Sequence, residues 1–178
     1  MTLPDLTLVI GGAKSGKSSF AETLIRQTTR PRHYIATAEA RDDEMRARID
    51  QHQQDRGADW RTHEQPRHLR PVLSQIPASD IVLIDCATLW LTNHLLADAD
   101  IAAETAELLA AMAHCLAPVV VVSNEVGWSI VPENALARAF RDHQGQLNQR
   151  LAAAAGLVVT VIAGLPMVLK GTLPPAPR

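Results

Sequence analysis

Aromatic residues are scarce: Phe, Tyr and Trp make up 3% of the 178 residues. A base-stacking platform for single-stranded nucleic acid needs several such rings side by side, and the chain has few to offer. Positive charge is not in excess either. Seventeen Lys and Arg against nineteen Asp and Glu leave a formal net charge of −2, with no basic footprint for DNA or RNA. Cysteine is almost missing. Cys86 and Cys115 stand apart, without metal-ligand or disulfide-framework spacing, which suits a reducing cytoplasm. No histidine pair has a zincin spacing, so a zinc site is not expected. The longest apolar run, residues 157–169, is interrupted by Thr160, Gly164 and Pro166 and is too short to span a bilayer. The first residues lack the charged segment that opens a secretory leader. What remains is a globular composition, 47% apolar and 20% charged, of a length that suits one domain.

Five short, continuous apolar runs (6–10, 33–36, 81–85, 119–123 and 157–163) read as strands covered on both faces. Helical patterns fill the intervals at 18–29, 40–56, 87–97, 101–115 and 132–155. The last pattern opens on Pro132 and Glu133 and stops at Gly156, and Gly145 inside it is a place for a local break. Alternation of this kind predicts a single α/β domain, a mostly parallel sheet with helices on both faces, over 1–170. Three prolines predict an irregular tail over 171–178.

Directly after the first strand comes Gly11-Gly12-Ala13-Lys14-Ser15-Gly16-Lys17-Ser18, which fits G-x-x-x-x-G-K-[ST]. Its glycines let successive backbone N–H groups turn inward toward phosphate oxygens. Lys17 would reach the β- and γ-phosphates, and the Ser18 hydroxyl would bind Mg²⁺. The following helix adds its positive dipole end. Two of the chain's three lysines lie in these eight residues. The pattern predicts nucleoside triphosphate binding. Asp85 ends an apolar strand, as does the aspartate that holds Mg²⁺ in P-loop proteins, though a strand-end aspartate serves equally as a helix cap.

The segment 41–56 is polar, with Met45 and Ile49 as its large apolar residues. At 100° per residue, Asp42, Met45, Ile49, His52 and Arg56 share one helix face. Such a face would present an imidazole and a guanidinium to a bound ligand; equally, His52 would simply pack. Asn124 and Glu125, past the Val119 strand, either orient a substrate hydroxyl or close a turn. Glu64 is a surface charge or a carboxylate that accepts the N1–H and N2 amine of guanine.

Several further segments are distinctive: Tyr34-Ile35-Ala36-Thr37-Ala38, Asp43-Glu44-Met45 with Arg48-Ile49 and His52, Trp60-Arg61-Thr62 with Glu64, and Asp85-Cys86 with Thr88-Leu89-Trp90-Leu91-Thr92-Asn93. To these belong Ser123-Asn124-Glu125-Val126-Gly127, Val131-Pro132-Glu133-Asn134 and Asn148-Gln149-Arg150-Leu151. With the phosphate loop, they make the chain resemble the bifunctional adenosylcobinamide kinase/adenosylcobinamide-phosphate guanylyltransferase family of cobalamin biosynthesis, over roughly 8–170. Departures are mild. Lys14 stands where arginine is more usual, Trp128 where a smaller residue is expected, and no acidic residue precedes the strand at Leu157.

The resemblance implies a RecA-like P-loop domain, a homo-oligomer (a trimer), and a two-step activity with GTP and ATP as substrates and Mg²⁺ as the ion. A triphosphate first phosphorylates the aminopropanol hydroxyl of adenosylcobinamide. GMP from GTP then passes through an enzyme histidine to the phosphorylated corrinoid. The matching histidine is His52; Gln53, Arg56 and Glu64 are expected beside the nucleotide, with Ser18 and Asp85 at the metal. Two other readings remain: a P-loop small-molecule kinase with no nucleotidyl-enzyme, and a nucleotide-gated binding module without catalysis.

Overall fold

The computed structural model describes residues 2–39, 57 and 59–175. The helix expected over 40–56, with His52, Gln53, Arg48 and Arg56, lies outside the described residues.

In chain order the elements are β1 (Leu6–Gly11), α1 (Lys17–Arg26), β2 (Arg32–Ala36), β3 (Trp60–Glu64), α2 (Arg70–Leu73), β4 (Ile81–Asp85) and α3 (Ala87–Leu95). Then come α4 (Ile101–Ala113), β5 (Val119–Asn124), α5 (Ala135–Ala154), β6 (Leu157–Ile162) and β7 (Leu165–Lys170). The strands form one seven-stranded sheet in the order β3-β2-β4-β5-β1-β6-β7. All pairings are parallel except β6 with β7. The expected mostly parallel α/β architecture is what the chain adopts.

Continuous Val/Ile runs make the central strands because both faces are buried. Ile35, Val82, Ile84, Val119 and Val121 point to the layer holding Leu73, Trp90, Leu108, Leu147 and Leu151. Tyr34, Leu83, Val120, Val122 and Val159 point the other way, onto Ala21, Leu24 and Ile25 of α1. The alternation is the period of two that a pleated strand imposes. Each large aliphatic side chain so buried contributes about 1.5–3 kcal/mol. Trp90, buried on α3, satisfies its indole N–H on the Arg67 carbonyl at 2.7 Å.

Two expectations need correction. α5 begins at Ala135 rather than Pro132, because the Asn134 side chain caps it by accepting from the Ala137 N–H at 2.7 Å. The carbonyls of Pro132 and Glu133 instead accept from the Arg138 guanidinium. Gly145 makes no break; α5 runs unbroken through it. Residues 165–170, to which the sequence assigned no element, fold back on β6 as antiparallel β7, through a turn in which Ala163 and Gly164 take φ of 52° and 79°. Two consecutive left-handed residues are what a tight two-residue hairpin requires. Beyond β7, Leu173 packs against the α1 side of the sheet.

Candidate functional site

The C-terminal edge of the sheet gathers the marked residues. β1 ends at Gly11, β4 at Asp85, β5 at Asn124 and β3 at Glu64, and in this architecture ligands bind beyond these ends. The loop from β1 to α1 is tightly folded. A Cβ at Gly11 would fall 2.6 Å from the Val161 carbonyl oxygen, and one at Gly16 would fall 3.2 Å from the Gly164 Cα. Gly16 also has φ of 92°, a left-handed conformation that glycine adopts without a Cβ clash. Lys14 holds φ of 54°, which costs a non-glycine residue about 1–3 kcal/mol.

Neighbouring strands brace the loop. The Ser15 N–H donates to Gly12 O at 3.2 Å, the Gly164 N–H to Ser15 O at 2.8 Å, and the Glu125 N–H to Gly11 O at 3.0 Å. α1 starts after Gly16 with no side-chain cap, and its first turn carries no acidic residue. The orphan N–H groups of that turn and its positive dipole end are therefore left for an anion. The Ser15 hydroxyl is buried and has no partner among the described residues, another donor held in the loop. Lys17 lies half-buried with its Nζ donating to Gly12 O at 3.1 Å, folded over the loop.

Asp85 does not cap α3. Cys86 is the N-cap residue and no side chain caps that helix, so the helix-cap reading of Asp85 is not realised. Its half-buried carboxylate takes no hydrogen bond among the described residues. Burial, and then the charge of Asp85, push the Cys86 thiol up to about 11, and the Lys17 ammonium opposes them. Lys17 and Asp85 thus act on the same small volume. The Thr37 hydroxyl fixes that volume, donating to the Cys86 carbonyl and accepting from the Cys86 N–H, both at 2.8 Å. Asn93 Nδ2 ties Thr37 O to Pro66 O at 2.7 and 3.0 Å.

At the end of β5, Asn124 donates its N–H to Thr88 Oγ1 at 2.8 Å and accepts at its carbonyl from Asn148 Nδ2 at 3.0 Å. Ser123 donates to Asn148 Oδ1 at 2.6 Å, and Gln144 Nε2 reaches both Ser123 Oγ and Asn148 Oδ1. This buried polar network, which the sequence reading did not foresee, locks α5 to the strand end. Glu125 closes a turn, accepting from the Gly127 N–H at 2.6 Å. Glu64 is exposed at the end of edge strand β3. The structure thus brings Gly11, Gly12, Ala13, Lys14, Ser15, Gly16, Lys17, Ser18 and Asp85 together and sets Glu64 on the same edge. Of His52, Gln53 and Arg56 it describes nothing.

Two histidines on neighbouring strands meet beside an aspartate. Buried His33 contacts the Asp80 carboxylate through Nε2 and His63 Nε2 through Nδ1, both at 2.9 Å. A carboxylate only accepts, so His33 Nε2 carries a proton, and Nδ1 of the same ring meets His63 Nε2. Burial, the His33 charge and then Arg61 hold His63 below the usual imidazole value. Asp80 is held below the carboxylate range by the Ser79 hydroxyl first, against its burial, with His33 helping.

A strand, a glycine-bent loop and a helix N-terminus in this order, within a mostly parallel sheet, define a P-loop protein of the α/β class. Comparison with known proteins narrows the class. Residues 7–169 match the family "Cobinamide kinase / cobinamide phosphate guanyltransferase", and the chain belongs to it. It is 44% identical over 181 residues to the bifunctional adenosylcobalamin biosynthesis protein CobU of Escherichia coli, covering 93% of this chain and 99% of that one. The CobU of Salmonella typhimurium is 45% identical over the same shares. The CobP of Pseudomonas aeruginosa is 43% identical, over 92% of this chain and 96% of its own. The crystal structure of a RadB recombinase aligns with a TM-score of 0.44 and 18% identity, over 89% of this chain and 74% of that one.

Proposed function

We propose that the chain phosphorylates adenosylcobinamide with ATP or GTP and then, through a guanylylated His52, transfers GMP from GTP to the product, giving adenosylcobinamide-GDP. The observation that carries the reading is the P-loop itself, folded and braced in a chain of a kinase and guanyltransferase family. In this reading residues 11–18 cradle the triphosphate and Lys17 swings from Gly12 to its β- and γ-oxygens. Ser18 and Asp85 offer a hydroxyl and an otherwise unbonded carboxylate, the oxygen donors that Mg²⁺ prefers. The ion would there offset negative charge on the phosphate oxygens.

In the transfer, the neutral imidazole of His52 attacks the α-phosphorus. A P–N bond forms, the bond to the leaving group breaks, and its electron pair departs with pyrophosphate. A phosphate oxygen of adenosylcobinamide phosphate then attacks the same phosphorus, and the imidazole leaves. Gln53 and Arg56 flank the nucleotide, and Glu64 accepts from the guanine edge, which its place on the ligand-bearing edge of the sheet supports.

The same reading gives a cytoplasmic homo-oligomer, a trimer by family likeness, with one domain over 1–170 and a proline-rich tail over 171–178. Free Cys86 and Cys115 suit a reducing compartment. Strand β7 is exposed along its whole length, with Leu165 at 73% and Leu169 at 55%; a second subunit would cover such an edge. Among the described residues no helix is long and apolar enough to cross a membrane.

Incubation with [α-³²P]GTP tests the reading. The enzyme acquires acid-labile, alkali-stable label that adenosylcobinamide phosphate discharges, and His52→Ala acquires none. Equal labelling of the variant removes His52 as the nucleophile; corrinoid phosphorylation with no labelling of either protein leaves a kinase alone.

A further inference from the structure

An apolar groove opens beside the nucleotide edge. Leu95 and Leu96 at the end of α3 face Leu136, Ala137 and Phe140 of α5 across a space of about 360 Å³, with Thr92 and Asn134 adding polar groups. Among the described residues no charged side chain lines it. Its position follows from the polar network described above. Gln144 and Asn148 are bonded to Ser123 and Asn124 at the end of β5, so the nine residues back to Ala135 carry α5 about 14 Å outward at 1.5 Å per residue. That overhang makes one wall of the groove. The other wall connects to the site through α3. Asn124 donates to Thr88 Oγ1, and one turn on, Thr92 donates to Thr88 O at 2.9 Å. Asp85 lies three residues before Thr88. Between β5 and α5, Trp128 and Ile130 stand 81% and 93% exposed, far more apolar surface than a loop normally leaves in water.

We propose that this groove seats the corrin macrocycle of the acceptor, with its aminopropanol arm running along the Thr92–Thr88 side toward Asp85 and the P-loop. The inference rests on the cobinamide reading. A corrinoid has a methyl-rich body rimmed by amides, and the groove pairs apolar walls with the neutral polar groups of Thr92 and Asn134. Its volume falls in the range of small-molecule sites, whereas a stable contact with another protein chain needs a broad face of about 800 Å² per partner. The α3 wall leads back through Thr92 and Thr88 toward Asp85, where a hydroxyl on a flexible arm could be presented to the P-loop.

The test uses the full-length protein with Leu96→Asp and Leu136→Asp combined, both positions being exposed. Equilibrium titration with adenosylcobinamide, followed by its visible absorbance, gives binding at least tenfold weaker than wild type. The GTP affinity and the oligomer mass measured by light scattering are unchanged. Undiminished corrinoid binding by the variant overturns the groove and leaves the enzymatic reading standing. A change in oligomer mass also overturns it, since the face would then be a contact between copies. Failure of the wild type to bind adenosylcobinamide at all removes the underlying reading as well.

Discussion

Among the described residues, the proposed function turns on Lys17. Its ammonium rests on the Gly12 carbonyl and is felt at Cys86, beside Asp85; in the proposed function a short swing would place it on phosphate oxygens without rebuilding the loop. Charge-assisted hydrogen bonds of this kind contribute about 1.5–3 kcal/mol each. Lys17→Ala should therefore weaken triphosphate binding by about 10–100-fold by titration calorimetry and remove both activities. Thermal unfolding should be little changed, because the side chain lies outside the core. Survival of either activity would mean two separate nucleotide sites.

Histidines outside the site set the acid limit of the fold. Burial holds His63 and His94 below the ordinary imidazole value. The unfolded chain then binds more protons than the folded one as the pH drops below about 6.5. Their stabilisation is complete above that pH and is lost as the pH falls through the lowered folded values. The melting temperature should thus decline by a few degrees between pH 7.5 and 5.5. His63→Gln keeps an amide that can donate to or accept from His33 Nδ1 and should flatten the profile; a variant with the wild-type slope would assign the effect elsewhere. None of these partnerships was legible in the sequence, since His33, His63 and Asp80 meet only after β2, β3 and β4 pair.

Elements were legible where burial and periodicity agree. The Val119 strand and the Ile81 strand are apolar at nearly every position because both faces are covered, and both were expected. β3 was not, because an edge strand covered on one side reads Trp60-Arg61-Thr62-His63-Glu64, with Trp60 its only buried residue. β7 escaped for the opposite reason: it is apolar yet fully exposed, so hydrophobicity could not separate it from β6, and the Ala163-Gly164 turn lacks the Asn or Asp that would flag it. Gly145 was misread through its propensity alone. A Cβ there meets nothing within 4 Å, while Leu147, Leu151 and the Asn134 cap hold α5 regardless. Gly145→Ala should raise stability by about 0.5–1 kcal/mol in urea titration. A loss of stability would show that α5 depends on flexibility at that point.

At the scale of the molecule, one edge of one sheet gathers the phosphate loop, Asp85 and Glu64. The phosphate loop could be read from eight residues because its conformation is written in glycines and its charge in Lys17. The network of Ser123, Asn124, Gln144 and Asn148 could not, since it spans elements whose packing no local spacing encodes. Asp85 was expected beside the phosphate loop by analogy with P-loop proteins, and the sheet sets β1 and β4 on either side of β5. The family match then supplies the acceptor that the loop by itself leaves open.

The central claim is that His52 carries GMP between donor and acceptor, and mapping the modified residue tests it most directly. Cleavage after Arg48 and Arg56 releases residues 49–56, in which His52 is the single histidine. After incubation with GTP and Mg²⁺ and digestion at alkaline pH, mass spectrometry should find one GMP on that peptide, and fragmentation should place it on the imidazole. An unmodified 49–56 peptide from enzyme that carries GMP elsewhere, or that forms adenosylcobinamide-GDP without ever becoming modified, would contradict the account.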